Sequence, residues 1–349
     1  PFTHTDGTLT LRETAALVGA VTNTGGTITA EPAALSTNSR IEVAGGTLQL
    51  SSGIYTNAGA VGVSGSGIFE IGPYNAPGVT ATVSRLSGTG GTVQPRWCAA
   101  AVSGVINRLV VDQAGASAYS GSVPGVQTFQ GVSYLHLAKA GTRDLTLAGT
   151  VNLRQGTAVR GGRLLLTGAG TKNTHNIAGG AGADAIQVTG GALGGTATVN
   201  VLGGTDVTVA EGGGLVAGLP GTAGRSIYAF ESGLGGVLDL SGATASNRWL
   251  HFDLGTNTTA GTTYDQVQVT GGTLAIGSGL LSMDDFAFTG LSGLGRGTYV
   301  LFNNAALSGT LGSPTTGPVA GGFYGTLRLD GNNIVLDVTP PPGTVVKVW

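Results

Sequence analysis

Apolar residues recur along this chain in pairs two positions apart. In residues 135–169 they are Leu135/Leu137, Leu145/Leu147, Val151/Leu153 and Leu164/Leu166. A separation of two puts both members of a pair on one face of an extended segment. Between the pairs stand AG, GT, QG and GG, residues that let the backbone turn at little steric cost. No window carries a capped stripe at i, i+3, i+4, i+7. The pattern predicts very short strands joined by tight corners. Such a unit cannot bury its apolar side alone and has to stack on copies of itself.

The first residues repeat the pattern at a fixed spacing. Thr8-Leu9-Thr10-Leu11, Thr27-Ile28-Thr29 and Thr47-Leu48-Gln49-Leu50 begin 19 and then 20 residues apart, the length of one β-helical coil. Threonine and serine at the alternate positions predict an outward face that is wet but uncharged. A glycine pair followed by a strand recurs as GGTLQL from Gly45, GGRLLL from Gly161 and GGTLAI from Gly271, which predicts repetition of one unit.

The expected fold is therefore all-β, a β-solenoid. Its repeats occupy residues 1–245, with an irregular, loop-bearing zone at 73–130 where Pro73, Pro77, Pro95 and Pro124 interrupt the strands. From 246 to 339 strands lengthen and aromatics enter, and residues 325–338 read as a hairpin, so a C-terminal β-rich module is expected to cap the stack. Residues 340–349 read as a Pro-rich spacer and a terminal strand.

Composition narrows the class. The 349 residues include Gly 65 and only 10% charged side chains, with a mean hydropathy of +0.25. Collagen and flexible linkers are excluded by Pro 12, a 41% hydrophobic fraction and the lack of a G-X-Y period. A net charge of −2 gives no electrostatic reason for a nucleic-acid partner. No apolar run approaches the ~20 residues of a membrane helix, so no membrane insertion is expected. Cys98 is alone, which rules out an intramolecular disulfide and predicts a buried thiol. A start at Pro1 without a signal-peptide shape reads as the processed form of an exported protein.

At two places the chain resembles a known family. LAKAGTRDLTLAGTVNLRQGTAVRGGRLLLTG is similar to the autotransporter-associated β-strand repeat, with its Lys-x-Gly start, T-L-x-L strand and G-G-x-L-x-L close. FDLGTNTTAGTTYDQVQVTGGTLAIGSGLL, with GTYVLFN and TLRLDGNNIVLDV, resembles the C-terminal section of large exported bacterial proteins that carry those repeats. Arg143 and Asp144 depart from the family's Gly-Thr region. The resemblance implies a right-handed β-helix-like passenger region displayed at a bacterial cell surface or outside the cell.

Residues able to carry chemistry are few. Asp184 is the sixth residue of GGAGADAIQ, the single fit to a calcium-binding nonapeptide that normally works in tandem copies, so it is a weak metal candidate. Asp239, Asp253, Asp265 and Asp284/Asp285 are the carboxylates that could pair for glycoside chemistry, with turn capping as the plainer role. His4, His136, His175 and His251 lack metal-ligand spacing. Trp97, Tyr119 and Tyr134 are more consistent with core packing than with sugar stacking. No catalytic residue and no cofactor are expected. The expected function is an extracellular structural subunit that partners with itself, polymerising head-to-tail through Phe2, Leu9 and Leu11 at one end and Val345, Val346, Val348 and Trp349 at the other, by strand donation. A surface adhesin or glycan-binding passenger is the alternative, and a polysaccharide lyase or hydrolase the third reading.

Overall fold

A computed structural model of the chain describes residues 2–340 except 13–16, 52, 57–58, 74–77, 100–103, 129–130, 178–181 and 244–247. It is a β-solenoid without an α-helix among the described residues. Strands of successive coils pair parallel and in register, forming three long faces. Face A begins with Phe2–His4, Leu17–Asn23, Leu35–Val43, Ala60–Val63 and Arg85–Ser87. A bridge from Gly88 to Tyr119 carries it into Ser117–Tyr119, Leu145–Leu147, Arg163–Leu166, Ala192–Gly195, Gly214–Ala217, Leu250–Leu254 and Phe286–Gly290. Face B starts at Thr8–Leu11, Thr27–Ala30 and Thr47–Leu50. Thr8 pairs with Thr27 and Thr27 with Thr47, as the spacing predicts. Face C contains Val105–Asp112, Ser133–Ala140, Thr157–Val159, Asp184–Val188 and Asp206–Val209.

The interior follows from the alternation. Inward positions form apolar columns along the axis: Val21, Ile41, Val61 and Leu86 under face A, and Ile28, Leu48, Phe69 and Val93 under face B. The pairs read from residues 135–169 stack directly, Leu145 on Leu164 and Leu147 on Leu166. Each such residue leaves water and also touches apolar neighbours in the coils above and below it. Outward positions on face B are polar and hydrogen-bond from coil to coil: Gln49 Nε2 donates to Glu70 (2.7 Å), Gln94 Nε2 to Glu70 (3.1 Å) and Gln127 Nε2 to Gln94 (2.9 Å).

Two lysines are buried at corners. Lys139 Nζ donates to the carbonyls of Ala140, Gly141 and Gly161, and Lys172 Nζ to those of Gly149 (2.6 Å) and Gly170 (2.7 Å). Burial pushes Lys139 down to about 8, against the pull of Asp144 and Asp112.

The segment 246–339 divides in two. Leu250–Leu254, the long strand Gln266–Leu281 and Gly297–Leu311 continue the parallel stack. Antiparallel pairing enters with Thr316–Pro318, Tyr324–Asp330 and Asn333–Thr339, and the last of these also covers Gly297–Leu311. The predicted hairpin is the pair Tyr324–Asp330 and Asn333–Thr339. Phe252, Phe286 and Phe302 meet beneath it, with ring centroids 5.5–5.9 Å apart from Phe252. No helix of the described residues is long and apolar enough to cross a membrane.

Candidate functional site

A groove of about 510 Å³ runs along the corner that leads into face A. Its floor is Gly162, Gly191, Ala192 and residues 212–214; Asp144, Arg163, Glu211, Arg248, Trp249 and His251 stand around it. The floor is bare because coils meet there backbone to backbone. Ala192 N donates to Gly162 O and Gly214 N to Gly191 O, both at 2.8 Å. A Cβ at Gly191 would lie 2.5 Å from Gly162 O, and one at Gly213 only 2.3 Å from Val188 O. Glycine is required by that approach, and the missing side chains leave a trench at the surface.

The walls are set from different coils. Arg163, in Arg163–Leu166, donates from Nε and Nη2 to the two oxygens of Asp144 in the preceding coil, at 2.9 and 2.7 Å. This forked pair fixes the guanidinium plane. Arg248 is exposed and makes no ion pair among the described residues. It is also the only described non-glycine residue with positive φ, at 51°; side chains adopt that conformation rarely. Trp249, next to it, is buried and donates its indole N–H to Asp285 (2.9 Å), whose other oxygen accepts from Ser282 N (2.7 Å). His251 faces outward on Leu250–Leu254; partial burial and then the Arg163 charge lower its pKa from the ordinary value, with Asp253 opposing.

A second hollow of about 120 Å³ adjoins the groove at Arg163, Val216 and His251 and is closed by Pro220, Gly221, Asp253, Asp265 and Thr289. Asp253 accepts from Gly221 N (2.5 Å). Asp265 accepts from Gly224 N (2.7 Å) and Asp253 N (2.8 Å). Burial pushes Asp265 up to about 8; the two N–H donors pull it down and the Asp253 charge pushes it further up.

Thus Asp253 and Asp265 come together, while the other candidate carboxylates go elsewhere. Asp239 accepts from Ser241 N (2.8 Å), and Asp285 caps a short turn. Asp184 is engaged by the Thr208 hydroxyl and by Gln187 Nε2 (3.3 Å). The glycine half of its motif, residues 179–181, lies outside the described residues, which contain no group of three His, Cys, Asp or Glu able to hold a metal ion. Cys98 is buried, and burial raises its pKa. Tyr119 is buried with its hydroxyl donating to Gly91 O (3.0 Å). Phe2 is 50% exposed, and Leu9 and Leu11 are half-buried against the core. Val345, Val346, Val348 and Trp349 lie outside the described residues.

Reading the sequence missed Arg163, Glu211 and Arg248 as site residues. In a chain with 10% charged residues, the departure at Asp144 was the available signal. In comparisons with known proteins, no protein-family model matches the chain and none of the curated proteins matches it.

Proposed function

We propose that this protein is an extracellular β-solenoid that binds a glycan in the groove along face A, acting as a surface adhesin or polysaccharide-binding passenger. One observation carries the reading: an elongated trench of about 510 Å³ floored by glycine and walled by planar polar side chains, Asp144, Arg163, Glu211, Arg248 and His251. Carboxylates accept from sugar hydroxyls and guanidinium groups donate to them, so such walls address the two sides of a vicinal diol. The low-charge exterior and the similarity to exported repeat proteins support a place outside the cell. A broad glycan array probed with the purified protein tests the proposal: binding to a chemically related set is expected, and a blank array with folded protein would refute it.

Head-to-tail self-assembly is the second reading. It rests on Phe2, Leu9 and Leu11, apolar side chains that the first coil leaves exposed or half-buried. Sedimentation of the wild type beside Phe2→Ser separates the two. Concentration-dependent polymers lost in the variant support assembly, and a monomer in both removes it.

A further inference from the structure

Resting on the glycan reading, we infer that the groove takes an uncharged, extended sugar chain laid along the solenoid axis, about one sugar unit to each coil. The direction comes from the floor. Five successive coil corners contribute to it, at Thr142 and Asp144 and at residues 162–163, 191–192, 211–214 and 248–249. Paired strands of neighbouring coils run in register beside them, Arg163 with Ala192 and Ala192 with Gly214. The trench therefore follows the stacking axis, and a chain laid across it would meet one corner only. Strand spacing of about 4.8 Å makes the five corners about 19 Å long. Each step is close to the length of one unit in an extended glycan, so every unit meets an equivalent corner.

Charge selects the ligand. Arg163 is already committed to Asp144 by two hydrogen bonds. The other charged side chains of the groove are Arg248 and Glu211, of opposite sign. The trench thus offers no net positive charge. A uronate or sulfated chain would bring an anion into every step, with Arg248 alone to pair with it and Glu211 opposing, and an unpaired anion removed from water is strongly disfavoured. Hydroxyl groups carry no such penalty and can both donate and accept.

The test is calorimetric titration of the full chain with two length series, from disaccharide to hexasaccharide: neutral gluco-, manno-, xylo- and N-acetyl-chito-oligosaccharides, and oligogalacturonates. Ala192→Trp is the blocking variant, because position 192 already carries a Cβ beside the trench while the glycines cannot. Arg248→Ala, an exposed change, keeps the test readable if the tryptophan variant misfolds. The expected result is binding of a neutral series, with affinity rising to about four or five units and then levelling, and a loss of about tenfold or more in either variant at unchanged melting temperature. Preference for the uronate series, or affinity already level at two units, would overturn this inference and leave the glycan-binding proposal standing. A blank in both series and on the broad array would remove the glycan reading itself, and this inference with it.

Discussion

Asp265 makes the energetics of this fold measurable at a single carboxyl. It is 1% exposed, and its oxygens accept from Gly224 N and Asp253 N. Its pKa rises from 3.8 to about 8, chiefly through burial. A carboxyl whose folded pKa lies above the unfolded one keeps a proton that the unfolded chain has lost. Its contribution is thus complete below about 4 and is lost as pH rises through about 8. Between about pH 5 and pH 8 the unfolded group is ionised and the folded one protonated, so the loss is at most about 4 kcal/mol, near 1.4 kcal/mol per unit. Asp265→Asn cannot titrate and has one acceptor oxygen where the carboxyl has two. One of the two N–H groups then loses its partner, at about 1–3 kcal/mol. The variant should be the less stable protein near pH 5, with the gap closing or reversing near pH 8. Native-state hydrogen exchange at the Gly224 and Asp253 amides, corrected for intrinsic rates, reads the local effect, and urea denaturation reads the global one. Taking the difference between wild type and variant cancels the contributions of Lys139, whose pKa is lowered to about 8, and of His136, lowered to about 4. Parallel pH curves for the two proteins would refute the reasoning.

Three further outcomes follow from packing. Phe252→Ala removes the ring shared by Phe286 and Phe302 at the junction of the stack with its antiparallel cap; a loss of about 3–5 kcal/mol is expected in urea denaturation, and a loss under 1 kcal/mol would show that the junction collapses around the gap. Lys172→Met keeps the apolar stem but leaves the carbonyls of Gly149 and Gly170 without their donor, so a cost of about 2–4 kcal/mol is expected. An unchanged or higher melting temperature would mean that desolvation of the ammonium outweighs its hydrogen bonds. Gly213→Ala drives a methyl to 2.3 Å from Val188 O and should cost about 1–3 kcal/mol as the coils shift apart; a variant that melts like the wild type would show the corner to be looser than its geometry.

The glycine-pair phrases show how far local pattern reaches. GGTLQL leads into Thr47–Leu50 on face B, GGRLLL into Arg163–Leu166 on face A, and GGTLAI into the part of Gln266–Leu281 that runs on face C. Each phrase is a corner and a strand, as expected, yet the three copies occupy three different faces. They repeat the corner, and coil position is decided separately. Coil length is the reason. Thr8 to Thr27 is one coil of 19 residues, but Leu250 to Phe286 is one coil of 36. Insertions leave at corners, where a loop displaces no paired strand, so sequence distance does not report spatial distance. The site was hidden for the same reason. Asp144 and Arg163 stand 19 positions apart and meet only because their coils stack; Glu211 and Arg248 join them from two later coils.

Alternation of apolar and polar residues settles, within a few residues, that a segment is extended and which side it buries. Glycine and asparagine settle where it turns. Those local rules were enough for a stack of short strands with an apolar interior and a polar exterior, but the exterior expected to be uncharged carries Glu70 at the centre of its face B ladder and the Arg40–Glu42 pair on face A. Which strand lies beside which is a different matter. Any apolar pair can ride on any other, and the choice is made by how much chain each corner extrudes and by the shared core of Phe252, Phe286 and Phe302 under the cap. The groove exists only at that level, because it is formed where backbones from successive coils approach too closely to admit a side chain.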